Sequence, residues 1–141
     1  MEALFFEIKD LDNFVKVQPI EFSYPDADNE WDKKWVKSKV EVKGGNFTGS
    51  YIAEFRTDDF KTFEEQLASL YNNLNGNAVF NDLEDYLELR IKGDGIGHFA
   101  VGIEACDRPG YGNRLSFELS FDQTQINTML DQLNKITTIY P

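Results

Sequence analysis

Residues 46–74 read Asn46-Phe47-Thr48-Gly49-Ser50-Tyr51-Ile52-Ala53-Glu54-Phe55-Arg56-Thr57-Asp58-Asp59-Phe60-Lys61-Thr62-Phe63-Glu64-Glu65-Gln66-Leu67-Ala68-Ser69-Leu70-Tyr71-Asn72-Asn73-Leu74. The apolar period changes inside this stretch. Phe47, Gly49, Tyr51, Ala53 and Phe55 recur at every second position, the repeat of a strand with one covered face. From Thr57 onward Phe60, Phe63, Leu67, Leu70, Tyr71 and Leu74 fall at steps of three and four, which predicts a helix over about 57–74. Thr57, Asp58 and Asp59 offer oxygens and negative charge to the unpaired N–H groups of its first turn. Asn75-Gly76 is the expected stop, because glycine tolerates the left-handed conformation that closes helices.

The same change recurs near the C-terminus. Leu115, Phe117, Leu119 and Phe121 alternate with Ser116, Glu118 and Ser120. A helix is then predicted over about 123–140, with Ile126, Met129, Leu130, Leu133, Ile136 and Ile139 or Tyr140 as its stripe. Asp122 and Gln125 resemble a capping box. Alternation also marks Leu83–Ile91 and Phe99–Ala105, and earlier strands are expected at 3–9, about 14–24 and about 35–43. Turns at Gly44-Gly45, Gly93-Asp94-Gly95 and Pro109-Gly110 predict hairpins. The expected fold is α+β: an antiparallel sheet of six to eight strands with two amphipathic helices packed on one face. The repeated strand-to-helix step fits an internal duplication or two uses of one junction; with few identities between the halves, the junction is preferred.

Composition limits the chemistry. The 141 residues suggest a single domain over 1–141, burying roughly two-thirds of its unfolded surface. They hold one His, one Cys, 14 Lys+Arg and 25 Asp+Glu, for a formal charge of −11. Twelve Phe speak for a packed core rather than disorder. The N-terminus lacks a basic, apolar secretory pattern, and no run reaches the roughly 18 apolar residues of a membrane span. With a single cysteine, no internal disulfide is expected, and a cytoplasmic location follows as the expectation. Asn46-Phe47-Thr48 is read as a chance match to a glycosylation site. Strong acidity disfavours direct binding to phosphate backbones. The basic cluster Lys33-Lys34 to Lys43 reads as a solvated strand face.

Few residues could carry catalysis. His98 lies on the polar side of its strand, and the enzyme alternative would gather Glu88, His98 and Glu104 around a pocket on the outer sheet face. Cys106 has no second histidine to activate it. Gly93-Asp94-Gly95-Ile96-Gly97 lacks the strand–loop–helix setting of a phosphate loop and reads as a hairpin tip. Glu64-Glu65 and Asp82, Glu84, Asp85 are carboxylate pairs that so acidic a chain contains by chance. A carrier of apolar ligands would need an enclosed cavity between helices and sheet, which the large aromatics are expected to fill. No enzyme activity, cofactor or metal is expected.

The densest acidic stretch is Asp26-Ala27-Asp28-Asn29-Glu30-Trp31-Asp32. It fails the EF-hand template, because Trp31 stands where glycine is needed and Lys37 where a bidentate acid is needed. It reads as a solvated loop with Trp31 or Trp35 folding back on the core. It also offers an aromatic residue ringed by carboxylates, a common pattern at interface hot spots.

The longer stretch Tyr24-Pro25-Asp26-Ala27-Asp28-Asn29-Glu30-Trp31-Asp32-Lys33-Lys34-Trp35-Val36-Lys37-Ser38-Lys39-Val40-Glu41-Val42 resembles the opening of the WapI-type family of bacterial immunity proteins. In that family a Tyr/Phe-Pro-Asp loop and acids precede a Trp that leads into a strand. The turn, strand, helix and further strands that follow match Phe47–Leu74 and Leu83–Phe121 in layout. The family's Asp-Pro-Cys type of turn is replaced here by Glu54-Phe55-Arg56-Thr57. The resemblance implies a protein that inactivates a toxic effector domain by binding it. Together with the charge, it leads to the expectation of a non-catalytic binding protein for a basic partner, with Asp26, Asp28, Glu30, Trp31 and Asp32 at the interface and neither membrane nor nucleic acid as partner. The alternative is an orphan domain whose charge serves solubility.

Overall fold

A computed structural model describes residues 3–141 of the chain. Its elements are β1 (Phe6–Asp10), β2 (Asn13–Phe22), the short α1 (Glu30–Lys33), β3 (Trp35–Gly44), β4 (Phe47–Arg56), α2 (Thr57–Asn73), β5 (Asn75–Asn81), β6 (Leu87–Asp94), β7 (His98–Cys106), β8 (Arg114–Asp122) and α3 (Gln123–Ile139). Eight strands are present, within the expected number. They form two four-stranded antiparallel sheets, β1-β2-β3-β4 and β5-β6-β7-β8, rather than one continuous sheet. The division falls where α2 separates β4 from β5. Each half is therefore four consecutive strands followed by one long helix. The repeated junction is part of a repeated unit, contrary to the expectation of two independent junctions.

The two long helices correspond position for position. Both have 17 residues. Phe60, Phe63, Leu67 and Leu70 are buried in α2, and Ile126, Met129, Leu133 and Ile136 take the same places in α3. The helices pack on each other, and their stripes join the inner faces of both sheets in one apolar cluster. Register explains why the strands read so clearly. Ala78, Ile91, Val101 and Leu119 stand side by side across the second sheet, followed by Phe80, Leu89, Ile103 and Phe117. Five fully buried rings, Phe6, Phe55, Phe60, Phe63 and Phe80, fill the space beneath α2. That space is where a ligand-carrying cavity would have to lie.

Helix ends differ in detail from the sequence reading. Arg56, not Thr57, caps α2, and its N–H donates to Asp59 Oδ2 at 2.8 Å. The Thr57 hydroxyl is buried without a partner. Asp122 caps α3 by accepting from the Thr124 N–H at 3.0 Å. The stop of α2 is Leu74 itself, at φ 60°, and β5 starts at once. The Leu74 carbonyl accepts from the Gly95 N–H at 2.8 Å. A Cβ at Gly93 would stand 2.5 Å from that carbonyl oxygen, so this strand position has to be glycine.

Glutamines on the two long helices close strand edges that would otherwise be open to pairing. Gln66 of α2 accepts from the Val79 N–H of β5 at 2.8 Å. Its counterpart Gln132 of α3 accepts from the Glu7 N–H of β1 at 3.0 Å. Gln125 accepts from the Lys9 N–H and donates to the Lys9 carbonyl, at 3.0 and 2.6 Å. Gln66→Ala and Gln132→Ala each leave a partly buried N–H without its partner. Each is expected to cost about 1 kcal/mol in urea unfolding, with faster amide exchange confined to Val79 or Glu7 respectively. A neutral pair of substitutions would show these edges to be satisfied by water.

Candidate functional site

The chain between β2 and β3 turns back over the end of the first sheet. Asn29 Oδ1 accepts from the Asp32 N–H at 2.8 Å and starts α1. This turn is held from below by Arg56, the last residue of β4. The Arg56 guanidinium carbon lies 3.5 Å from the Trp31 ring centre and 5.0 Å from that of Trp35. Its Nη1 donates to the Trp31 carbonyl at 2.9 Å. Arg56 is only 3% exposed, while Trp31 is 57% exposed. Trp31 thus folds back onto a buried cation rather than onto the apolar core.

Between this loop and the β5–β6 connection lies a cleft of about 800 Å³. Tyr24, Asp26 and Asp32 of the loop, Trp35 of β3, Glu54 of β4, and Glu84 and Tyr86 of the connection line it. The Ser23 hydroxyl donates to Glu54, and Asn29 Nδ2 donates to Asp32 Oδ2 at 3.0 Å. Tyr51 Oη anchors the far wall by donating to the Tyr86 carbonyl at 2.7 Å. The Tyr86 hydroxyl is held above its ordinary pKa by desolvation and by the negative field of Glu54 and Glu84. Among the described residues, no Lys or Arg reaches ion-pair distance of Asp26, Asp32, Glu54 or Glu84. Glu7, Glu30, Glu41, Glu88, Asp85 and Asp94 all have cationic or histidine partners. Of the five residues singled out in the sequence, Asp26 and Asp32 line the cleft. Asp28, Glu30 and Trp31 lie on the outside of the loop, where Glu30 pairs with Lys33 at 3.4 Å. Glu54, Glu84, Tyr86 and Arg56 were not legible as site residues, because only the tertiary fold brings them to the loop.

Two carboxyls near the Arg56 turn are withdrawn from solvent, Asp59 half-buried and Asp82 buried. Burial pushes Asp59 from its ordinary 3.8 to about 6, against the opposing N–H of Arg56. Burial also raises Asp82, which accepts from the Tyr86 and Leu87 N–H groups. A carboxyl raised in the folded state keeps its proton to higher pH than in the unfolded chain. The contribution of Asp59 is therefore fully present below about pH 4 and is lost as pH rises to about 6. Asp59→Asn keeps an acceptor for the Arg56 N–H and is expected to flatten that fall. Tm measured from pH 4 to 6 should decline less in the variant than in the wild type. An equal slope in both would remove Asp59 as a cause.

The other sequence candidates do not converge. The His98 side chain is 75% exposed, with Nδ1 3.2 Å from Asp94 Oδ2. Glu88 and Glu104 are register partners, but Glu104 lies six residues along β7 from His98, roughly 20 Å at about 3.3 Å per residue. Glu88 pairs instead with Arg90 at 2.6 Å. Cys106 is a buried free thiol. Residues 93–97 do form a hairpin tip, where Asp94 Oδ1 accepts from the Ile96 and His98 N–H groups. Glu64 takes a hydrogen bond from the Thr137 hydroxyl at 3.0 Å, tying α2 to α3. Among the described residues, no group of three or more His, Cys, Asp or Glu is placed to hold a metal ion, and no helix is long and apolar enough to cross a membrane.

Comparison with known proteins adds two findings. A family model described as the immunity protein WapI-like family matches residues 5–141. No match is found among curated proteins. Three solved structures share the fold at low identity. The plant transcriptional regulator PBF-2 aligns with TM-score 0.54 and 9% identity, covering 99% of this chain and 83% of that one. WHY1 from Arabidopsis thaliana gives 0.53 and 10%, with 99% and 86% coverage. Trypanosoma bruciei MRP1/MRP2 gives 0.52 and 12%, with 99% and 86% coverage. At these identities the likeness is one of fold.

Proposed function

Because the chain belongs to the WapI-like immunity protein family, we propose that it holds a toxin domain inactive by direct binding, without catalysis or a cofactor of its own. The partner surface is basic. A chain of charge −11 attracts a cationic protein over long range and repels nucleic acid. The observation that carries the reading is the cleft beside the Tyr24–Asp32 loop, lined by four carboxylates and three aromatic rings and, among the described residues, by no Lys or Arg. Asp26, Asp28, Glu30, Trp31 and Asp32 form the contact loop, Asp26 and Asp32 from inside the cleft and the others from its rim. The protein acts in the bacterial cytoplasm, where the toxin would otherwise reach its target.

The test is co-expression with a candidate toxin domain taken from the genes that neighbour this chain's own. Wild-type chain should restore growth, and a variant with Asp26, Asp28, Glu30 and Asp32 changed to Ser should protect poorly at equal expression. No protection by the wild type would overturn the immunity reading and leave charge for solubility as the alternative. Equal protection by the variant would overturn the choice of loop.

A further inference from the structure

We propose that the cleft between the Tyr24–Asp32 loop and the β5–β6 connection is a socket for one arginine side chain projected by the toxin partner. The inference rests on the immunity reading and deepens it, because it names what the partner presents and adds Glu54, Glu84 and Tyr86 to the interface.

The lining has the two components that a guanidinium requires. Carboxylates from three separate parts of the chain, Asp26 and Asp32, Glu54, and Glu84, converge on one concavity whose lining contains no Lys or Arg. Flat rings of Tyr24, Trp35 and Tyr86 stand among them. A planar guanidinium donates in a fork to carboxylates and stacks on aromatic faces, whereas a lysine ammonium is a compact, strongly hydrated point charge. Geometry in the same loop shows that its aromatics accept this group. The chain's own Arg56 sits 3.5 Å from the Trp31 ring centre, held from the core side. The cleft is open to solvent and has the same chemistry; Arg56 approaches its Trp35 ring at 5.0 Å from the core side, and no Lys or Arg is among the residues that line it. Its volume of about 800 Å³ admits an arginine together with the backbone that carries it.

The chain has two tryptophans, Trp31 and Trp35. Trp35 lines the cleft and Trp31 belongs to the same loop, so their indole N–H signals in NMR report directly on occupancy. The probe is the capped tripeptide acetyl-Gly-Arg-Gly-amide, with citrulline and lysine versions as controls. The arginine peptide should shift the indole signals saturably. The citrulline peptide, isosteric but uncharged, should bind about tenfold more weakly, the scale of one lost charge-assisted hydrogen bond. The double variant Glu54→Gln, Glu84→Gln should lose about tenfold as well, and wild-type affinity should fall as salt rises. An unchanged urea midpoint for the variant would show its fold to be intact. Should it instead unfold early, the citrulline control and the salt dependence on wild-type protein decide alone. A silent titration, equal binding of the citrulline peptide, or lysine binding as tightly as arginine would overturn the socket. Protection in co-expression with a silent titration would leave the immunity reading standing and the socket refuted. A saturable titration without protection would refute the immunity reading and with it the toxin as occupant.

Discussion

Phe80→Ala is expected to lower the unfolding free energy by about 4 kcal/mol, the upper range for deleting a fully buried ring. Phe80 is 0% exposed and stands at the centre of the aromatic cluster. Its ring centre lies 5.1 Å from that of Phe55, 5.6 Å from Phe63, 5.7 Å from Phe6 and 5.8 Å from Phe60. Those four rings come from β4, α2 and β1, so Phe80 joins the second sheet to the first half of the chain. Its loss removes area burial, ring–ring contacts and the fill of the space under α2 together. Urea unfolding at unchanged m-value reads the effect. A loss below about 1 kcal/mol would mean that the neighbouring rings collapse into the gap, and that the two halves do not depend on this contact.

Arg56→Ala is expected to cost about 3 kcal/mol and to release the α1 turn. The side chain is almost wholly buried, stacks on Trp31 and bonds the Trp31 carbonyl. A desolvated cation over an indole face contributes about 2 kcal/mol, and a hydrogen bond from a charged donor about as much again. Part of that sum is offset because the alanine variant no longer buries a charge. Arg56→Lys should recover little, because an ammonium cannot stack and donate in the same plane. Trp31 emission should move to longer wavelength in both variants as the ring leaves the guanidinium. Stability within 0.5 kcal/mol of wild type, the ordinary range for surface substitutions, together with unchanged emission would show that the loop holds itself.

How far the sequence could be read depended on the range over which each feature is specified. Both long helices and the strands β4, β7 and β8 are local patterns with strong apolar periods, and they stand close to where the spacing places them; β6 starts only at Leu87, because Leu83 is exposed and Asp85 turns the chain at φ 68°. The strand β5 escaped notice for a physical reason. Its seven residues include Asn75, Gly76, Asn77 and Asn81, which have low strand propensity, and only Ala78 and Phe80 face the core. It is a strand because β6 pairs with it and Gln66 satisfies its Val79 N–H, neither of which is a local property. The partition into two sheets is likewise decided by where α2 delivers the chain. The site divides along the same line. The acids of residues 26–32 are adjacent in sequence and were visible as a cluster. Glu54 looks like any polar position on an alternating strand, and Glu84 like any acid in a turn, until the fold brings them into one cleft with Asp26 and Asp32. Arg56 was read only as part of a helix junction, since nothing in its neighbours announces the stack of Trp31 upon it.

The decisive measurement is calorimetric titration of the purified chain with the toxin domain against which it protects in co-expression. The account predicts one-to-one binding that weakens as salt is raised. It also predicts a loss of at least about a hundredfold when Asp26, Asp28, Glu30 and Asp32 are all replaced by Ser, roughly 2.8 kcal/mol at about 1.4 kcal/mol per factor of ten. No heat of binding for the wild-type chain, or an affinity that neither salt nor the four substitutions alter, would contradict it.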